Sequence, residues 1–118
     1  FCLYSGKIDG HIKNESDLWE IKKDHAYMHP TQKPVALSVR AFSNHIKQKN
    51  VLDLFGGSGS TLIGAEETGR NAFIMELDEK YVDVIINRWE AFTGKQAIHI
   101  ESGKTYAQLK DSGVECNG

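Results

Sequence analysis

Residues 51–64, VLDLFGGSGSTLIG, decide how this chain is read. Val51 to Phe55 form a short, nearly all-apolar run, the pattern of a parallel strand covered on both faces. A glycine-rich turn follows at once. From Ser60 the sequence reads as a helix to Thr68, stopped by Gly69 in a left-handed cap. Strand, glycine turn and helix in that order bring the carboxylate of Asp53 and the free N–H groups of the helix start up to a small ligand. Gly56, Gly57 and Gly59 leave room for it, or merely make a tight turn.

Working outward, residues 71–77 read as the next strand, with Glu76 at its carboxyl end. Asp78 is an N-cap, Glu79 favours the dipole of the first turn, and a helix continues to Phe92. Val82, Ile85, Ile86, Trp89 and Phe92 form its apolar stripe, and Thr93-Gly94 ends it. AIHI, residues 97–100, reads as a third, weaker strand. The stretch from Glu101 holds a short helix around Tyr106–Lys110 and a frayed tail. On the other side of the glycine turn, Pro34 takes a first helical position. Val35, Val39, Phe42 and Ile46 then recur at helical spacing. Residues 22–33 read as a loop, and Phe1–Tyr4 and Leu18–Ile21 as two short strands.

Alternating strands and helices predict an α/β domain, a partial Rossmann-like sheet of parallel strands covered by helices. Three parallel strands are a thin core for such a sheet, and a chain of 118 residues that opens inside a strand reads as part of a larger domain. The expected missing half would lie against the 51–54 strand. Without it the strand would present an apolar edge that invites self-association.

Composition excludes several classes. With 40 % hydrophobic and 25 % charged residues the chain reads as a globular domain. No apolar run approaches the roughly 20 residues of a membrane span, and no signal-peptide pattern is present. Cys2 and Cys116 have no metal or redox spacing and read as free thiols in a reducing, cytoplasmic setting. The five histidines show no ligand spacing, so no metal is expected. A net charge of −2, with basic pairs only at Lys22–Lys23 and Lys47/Lys49, lacks the basic excess of a self-sufficient nucleic-acid binder.

The site chemistry follows from residue types. A dinucleotide turn would read G-x-G-x-x-G, but after Gly57-Ser58-Gly59 the next glycine, Gly64, comes too late. Asp53 would repel a pyrophosphate and suit an ammonium or sulfonium, which favours S-adenosylmethionine over NAD. Glu76 has two oxygens that can accept both ribose hydroxyls, the role of an acidic residue about 20 residues after such a turn. Alone, a strand-end Glu is more often a solvated or capping group. In HPTQKP, residues 29–34, the Thr31 hydroxyl and the Lys33 cation can hold the carboxylate of an amino-acid ligand. The plainer alternative is a proline turn with exposed polar side chains.

Taken together, HPTQKPVAL, VLDLFGGSGSTLIGAEETGR and FIMELDEKYVDVIINRW closely resemble the carboxyl-terminal part of the DNA N6-adenine and N4-cytosine methyltransferases. With the preceding DLWEIKKD the likeness covers about residues 17–98. In this family the cofactor motifs follow the catalytic one. The resemblance implies an S-adenosylmethionine-dependent methyltransferase fold, with residues 1–100 as its cofactor-binding part and residues 101–118 as a C-terminal tail. Carried over by position, it implies that Thr31 and Lys33 serve the cofactor carboxylate and Asp53 its amino group. Phe55 would wall the cofactor and target-base pocket, Gly57 and Gly59 admit the methionine part, and Glu76 bind ribose. The parent enzyme would methylate double-stranded DNA, as in restriction–modification, on a base flipped out of the duplex. The family's catalytic D-P-P-Y or N-P-P-Y motif is missing: the only prolines are Pro30 and Pro34. No catalytic residue is therefore expected here, and the chain alone should be inactive. Two other readings stand beside this one. One is a catalytically inactive cofactor-sensing or subunit-interaction module. The other is a methyltransferase acting on RNA, protein or a small molecule.

Overall fold

The structure, a computed structural model, describes residues 20–21 and 33–113. Helix α1 (Val35–Ser43) leads to strand β1 (Asn50–Asp53), helix α2 (Ser60–Glu67), strand β2 (Asn71–Ile74), helix α3 (Glu79–Thr93) and a short helix α4 (Tyr106–Asp111). β1 and β2 pair in parallel, Leu52 opposite Phe73 and Asp53 opposite Ile74. The chain thus builds an α/β unit with parallel strands flanked by helices, as its alternating pattern predicts.

Each boundary has a local cause. Pro34 stands just outside α1 in extended conformation, as its N-cap rather than its first helical residue. Asp78 caps α3 by accepting the Lys80 N–H at 2.9 Å, and Gly94 closes that helix in the left-handed region at φ 69°. Arg70 ends α1 from outside: its Nη2 donates to the carbonyls of Phe42 (2.7 Å) and His45 (3.1 Å), and its guanidinium lies over the Phe42 ring. α2 sits at the centre, packed on α1, β2 and α3. Gly64 lets α1 come close, since a Cβ there would stand 2.9 Å from Ser38 Cβ. Trp89 Nε1 donates to Glu66 Oε1 at 2.8 Å and fastens α3 to α2. The core is small and centred on Ile63, Ala65 and Ile85.

Several expectations change. Only two strands pair among the described residues, because 97–100 does not join the sheet. Ile98 instead makes an isolated antiparallel bridge to Thr105, and His99 N–H donates to Lys104 O. The segment folds back locally because Tyr106 docks on α3, giving its hydroxyl proton to Asp83 and accepting from Asn87. The Thr105 capping box then starts α4. Ile46 lies beyond the end of α1 and is exposed, and Phe92 is half exposed on α3. Fifteen helical residues extend about 22 Å, whereas four strand residues extend about 13 Å, so the end of α3 overruns the sheet.

The sheet is covered on one face. Val51, Asp53, Ala72 and Ile74 are partly buried, while Leu52 and Phe73, on the opposite face, are 68 % and 58 % exposed. The sequence pattern of a strand covered on both faces is therefore met on one face by the described helices. Of the two expected N-terminal strands, the first and residues 18–19 of the second lie outside the described residues. Glu20 and Ile21 carry no regular structure. Among the described residues, no helix is long and apolar enough to cross a membrane.

Candidate functional site

The hydrogen-bond ladder runs past the carboxyl ends of both strands. Met75 N–H donates to Asp53 O, and Gly56 N–H donates to Met75 O, both at 2.8 Å. A cavity of about 320 Å³ opens there, large enough for a small organic ligand. Its wall brings together Lys33, Asp53, Phe55, Gly57 and Glu76, five of the seven residues singled out in the sequence. Thr31 lies outside the described residues, and Gly59 is not at the wall.

Asp53 is aimed by its neighbours. Its Oδ1 accepts the Phe55 N–H at 3.0 Å and its Oδ2 accepts the Thr61 hydroxyl at 2.6 Å. A carboxylate offers about two lone-pair sites on each oxygen, so both keep acceptor capacity for a ligand. Glu76 is more heavily engaged. Oε2 accepts the Gly57 N–H at 2.7 Å, and Oε1 accepts Leu77 N–H at 2.9 Å and Asp78 N–H at 3.0 Å. These bonds, that from Asp78 first and that from Gly57 next, lower the Glu76 pKa below the ordinary 4.5, against a smaller opposing effect of desolvation. By the same count, only Oε2 has a site to spare. One ribose hydroxyl, rather than two on separate oxygens, is what this arrangement accepts without releasing a backbone N–H.

The glycines divide their work. Gly57, at φ 54°, needs its missing side chain for conformation, and a Cβ there would meet only Phe55 O at 3.9 Å. Among the described residues, nothing else fills the space beside it. Gly56 and Gly59 serve packing instead: a Cβ on Gly56 would stand 2.5 Å from Ile74 Cγ2, and one on Gly59 3.3 Å from Ile85 Cγ1. Gly59, at φ 83°, is also the N-cap of α2, whose first-turn N–H groups have no intrahelical partner. Phe55 is 88 % exposed at the cavity rim. Lys33 is exposed, and its carbonyl accepts the Ser60 hydroxyl at 2.5 Å.

Residues not anticipated as site residues also line the wall: Ser38 from α1, Ser58 in the turn, Ser60 and Thr61 from α2, and Asp78 and Tyr81 at the start of α3. Arg88 stands behind the turn, its Nη1 donating to Ser58 O at 3.0 Å. The sequence signals for Arg88 are its place in the FIMELDEKYVDVIINRW run and its position three residues after Ile85, on the same helix face.

Comparison with known proteins gives the family and the fold. The N6/N4 methyltransferase model, described as DNA methylase, matches residues 7–88. The chain belongs to the DNA methylase family. The type II methyltransferase M.ScaI of Streptomyces caespitosus is 33 % identical over 89 residues, which is 67 % of this chain and 29 % of that protein. The chain thus spans less than a third of the length of this family relative. The crystal structure of the M1.HpyAVI–SAM complex superposes with a TM-score of 0.51 at 30 % sequence identity, covering 64 % of this chain and 42 % of that one. The fold of this DNA methylase segment is accordingly the Rossmann-like methyltransferase fold.

Glu76 makes stability pH-dependent in a stated direction. Its folded-state pKa is depressed, so its contribution is complete above about pH 4.5 and is lost as pH falls through the lower folded value. Glu76→Gln places an amide N–H₂ among three backbone donors. The substitution lowers the thermal midpoint at pH 7, and the gap to wild type narrows below pH 4.5. Thermal unfolding of both proteins from pH 7 to pH 3 checks this; a gap independent of pH contradicts it.

Proposed function

We propose that residues 1–100 are the S-adenosylmethionine-binding part of a DNA methyltransferase domain that modifies the exocyclic amine of adenine (N6) or cytosine (N4) in double-stranded DNA. On this reading the catalytic motif belongs to the N-terminal half of the same domain, outside these residues, and residues 101–118 are a C-terminal tail. The observation that carries the reading is the convergence of Asp53, Gly57 and Glu76 on one cavity at the ends of two parallel strands. Its support outside the chain is that M1.HpyAVI, a structural relative, was crystallised as a SAM complex.

The residues present fit this cofactor. The wall carries the carboxylates Asp53, Glu76 and Asp78 with the cation Lys33, acceptors suited to hydroxyls and an ammonium and one donor suited to a carboxylate, rather than a set suited to a pyrophosphate. Unfilled space at Gly57 leaves the backbone open to close approach. Asp53 would take the cofactor ammonium with its remaining acceptor sites. Lys33, with Thr31, would hold the carboxylate, and Glu76 Oε2 would accept a ribose hydroxyl. Phe55 would wall the cavity, while Gly59 sets the turn that admits the methionine part. Bound there, S-adenosylmethionine supplies a methyl group activated by its sulfonium. With Pro30 and Pro34 as the only prolines, this sequence has no Pro-Pro-aromatic motif to hold a target amine. Its net charge of −2 leaves the DNA-binding surface to the rest of the enzyme. The setting is cytoplasmic and of the restriction–modification kind.

Calorimetric titration of the 118-residue chain with S-adenosylhomocysteine tests this directly. One saturable site is expected, weakened about ten- to a hundredfold by Glu76→Gln. The same purified chain transfers no labelled methyl groups to duplex DNA. Absence of binding contradicts the cofactor reading, and methyl transfer contradicts the assignment of the catalytic motif elsewhere.

The sheet face that the described helices leave uncovered, and the β1 edge, are the surfaces the N-terminal half would cover. In its absence the exposed pair Leu52 and Phe73 drives self-association. Sedimentation velocity at tens of micromolar is expected to show oligomers, and Leu52→Lys with Phe73→Lys to restore the monomer. A monodisperse wild-type monomer contradicts this.

A further inference from the structure

Arg88 lies one turn beyond Ile85 on α3 and is not part of the cavity wall. Its Nη1 donates to Ser58 O at 3.0 Å and to Ser60 Oγ at 3.3 Å. Ser60 Oγ in turn donates a hydrogen bond to the carbonyl of Lys33 at 2.5 Å. Ser58 and Ser60 are both buried, 8 % and 6 % exposed, so their polar groups depend on protein partners. Ile85, on the same helix face, packs against Gly59 between them. α3 therefore grips the Ser58-Gly59-Ser60 turn with one apolar and one polar contact. Through Ser60 the grip extends to Lys33, from a segment more than 50 residues upstream of Arg88. Glu76 is held separately, by the N–H groups of Gly57, Leu77 and Asp78.

We infer that Arg88 is a positioning residue for the amino-acid end of the ligand. It sets the spacing between the glycine turn and the Lys33 backbone, so that Lys33 and Asp53 meet the charged aminocarboxypropyl group together. It acts without touching the ligand. Both acceptors are reached from one nitrogen, Nη1, whose N–H bonds are fixed in the guanidinium plane; lysine keeps the charge on a shorter stem with a freely rotating ammonium. The nucleoside end, held by Glu76, is outside this control. The inference rests on the S-adenosyl reading of the cavity and adds to it a division of labour on one turn, with Glu76 bonded at Gly57 and Arg88 at Ser58 and Ser60.

The test compares two ligands on the full chain by calorimetry: S-adenosylhomocysteine, and 5′-methylthioadenosine, which lacks the amino-acid group. Arg88→Met weakens S-adenosylhomocysteine about tenfold and 5′-methylthioadenosine less than about threefold. Arg88→Lys falls between wild type and Arg88→Met. Ser60→Ala, which cuts the link to Lys33 while keeping Arg88, reproduces the selective loss; because Ser60 itself lines the cavity, Arg88→Gln decides the matter if Arg88→Met does not fold. A purely structural role for Arg88 would weaken both ligands alike. Equal losses for the two ligands, or none in a folded variant, overturn the inference while leaving the S-adenosyl reading intact. A wild-type chain that binds neither ligand overturns that reading, and the inference with it.

Discussion

The bond from Gly57 N–H to Glu76 Oε2, 2.7 Å long, joins the turn after β1 to the segment after β2, and the cavity exists between the parts it joins. A pair of four-residue parallel strands is a weak foundation, since two-stranded sheets are marginal in water. The Glu76 carboxylate compensates by working in three directions. It fixes the glycine turn, and its other oxygen holds Leu77 and Asp78 N–H at the entry to α3. Asp78, placed in this way, caps the helix. The backbone donors also hold the Glu76 pKa below its ordinary value. Its charge stands on the same wall as those of Asp53 and Asp78, and this biases the cavity against polyanions.

Around that bond the turn is held from two sides. From α2, Thr61 orients Asp53 through a 2.6 Å hydrogen bond. From α3, Ile85 and Arg88 hold Gly59 and its flanking serines. The glycine-rich motif is thus only partly about the ligand. Gly57 leaves open space, whereas Gly56 and Gly59 are small so that Ile74 and Ile85 can come close. A wall held by elements far apart in sequence is pre-organised, which lowers the cost of ordering on binding.

Much of this was legible in the sequence because it is encoded locally. The α3 stop at Gly94, its Asp78 cap and the helix after the glycine turn follow from residue types at fixed offsets. The convergence of Asp53, Gly57 and Glu76 follows from strand–turn–helix order, because parallel strands bring their carboxyl ends together. The rest depends on tertiary partners that periodicity does not see. The apolar AIHI run looks like a strand, but Tyr106 binding to Asp83 and Asn87 turns it back. Phe92 fits the helical stripe yet lies past the end of a short sheet. Glu76 reads as an open ribose ligand, while the fold already uses most of its acceptor capacity for its own backbone. Arg88 lies within the FIMELDEKYVDVIINRW run, but nothing in that run marks it for the site; its role comes from the distance between α3 and a turn some 30 residues earlier.

The most direct measurement is the amide spectrum of the isotopically labelled chain during titration with S-adenosylhomocysteine. If the cavity holds this ligand, the Gly57 amide, fixed on Glu76, shifts saturably together with those of Phe55, Asp78 and Tyr81 on the same wall. The amides of α4, away from the cavity, stay in place. Millimolar ligand that leaves Gly57 and its neighbours unmoved, or that moves only residues outside the cavity, contradicts the account.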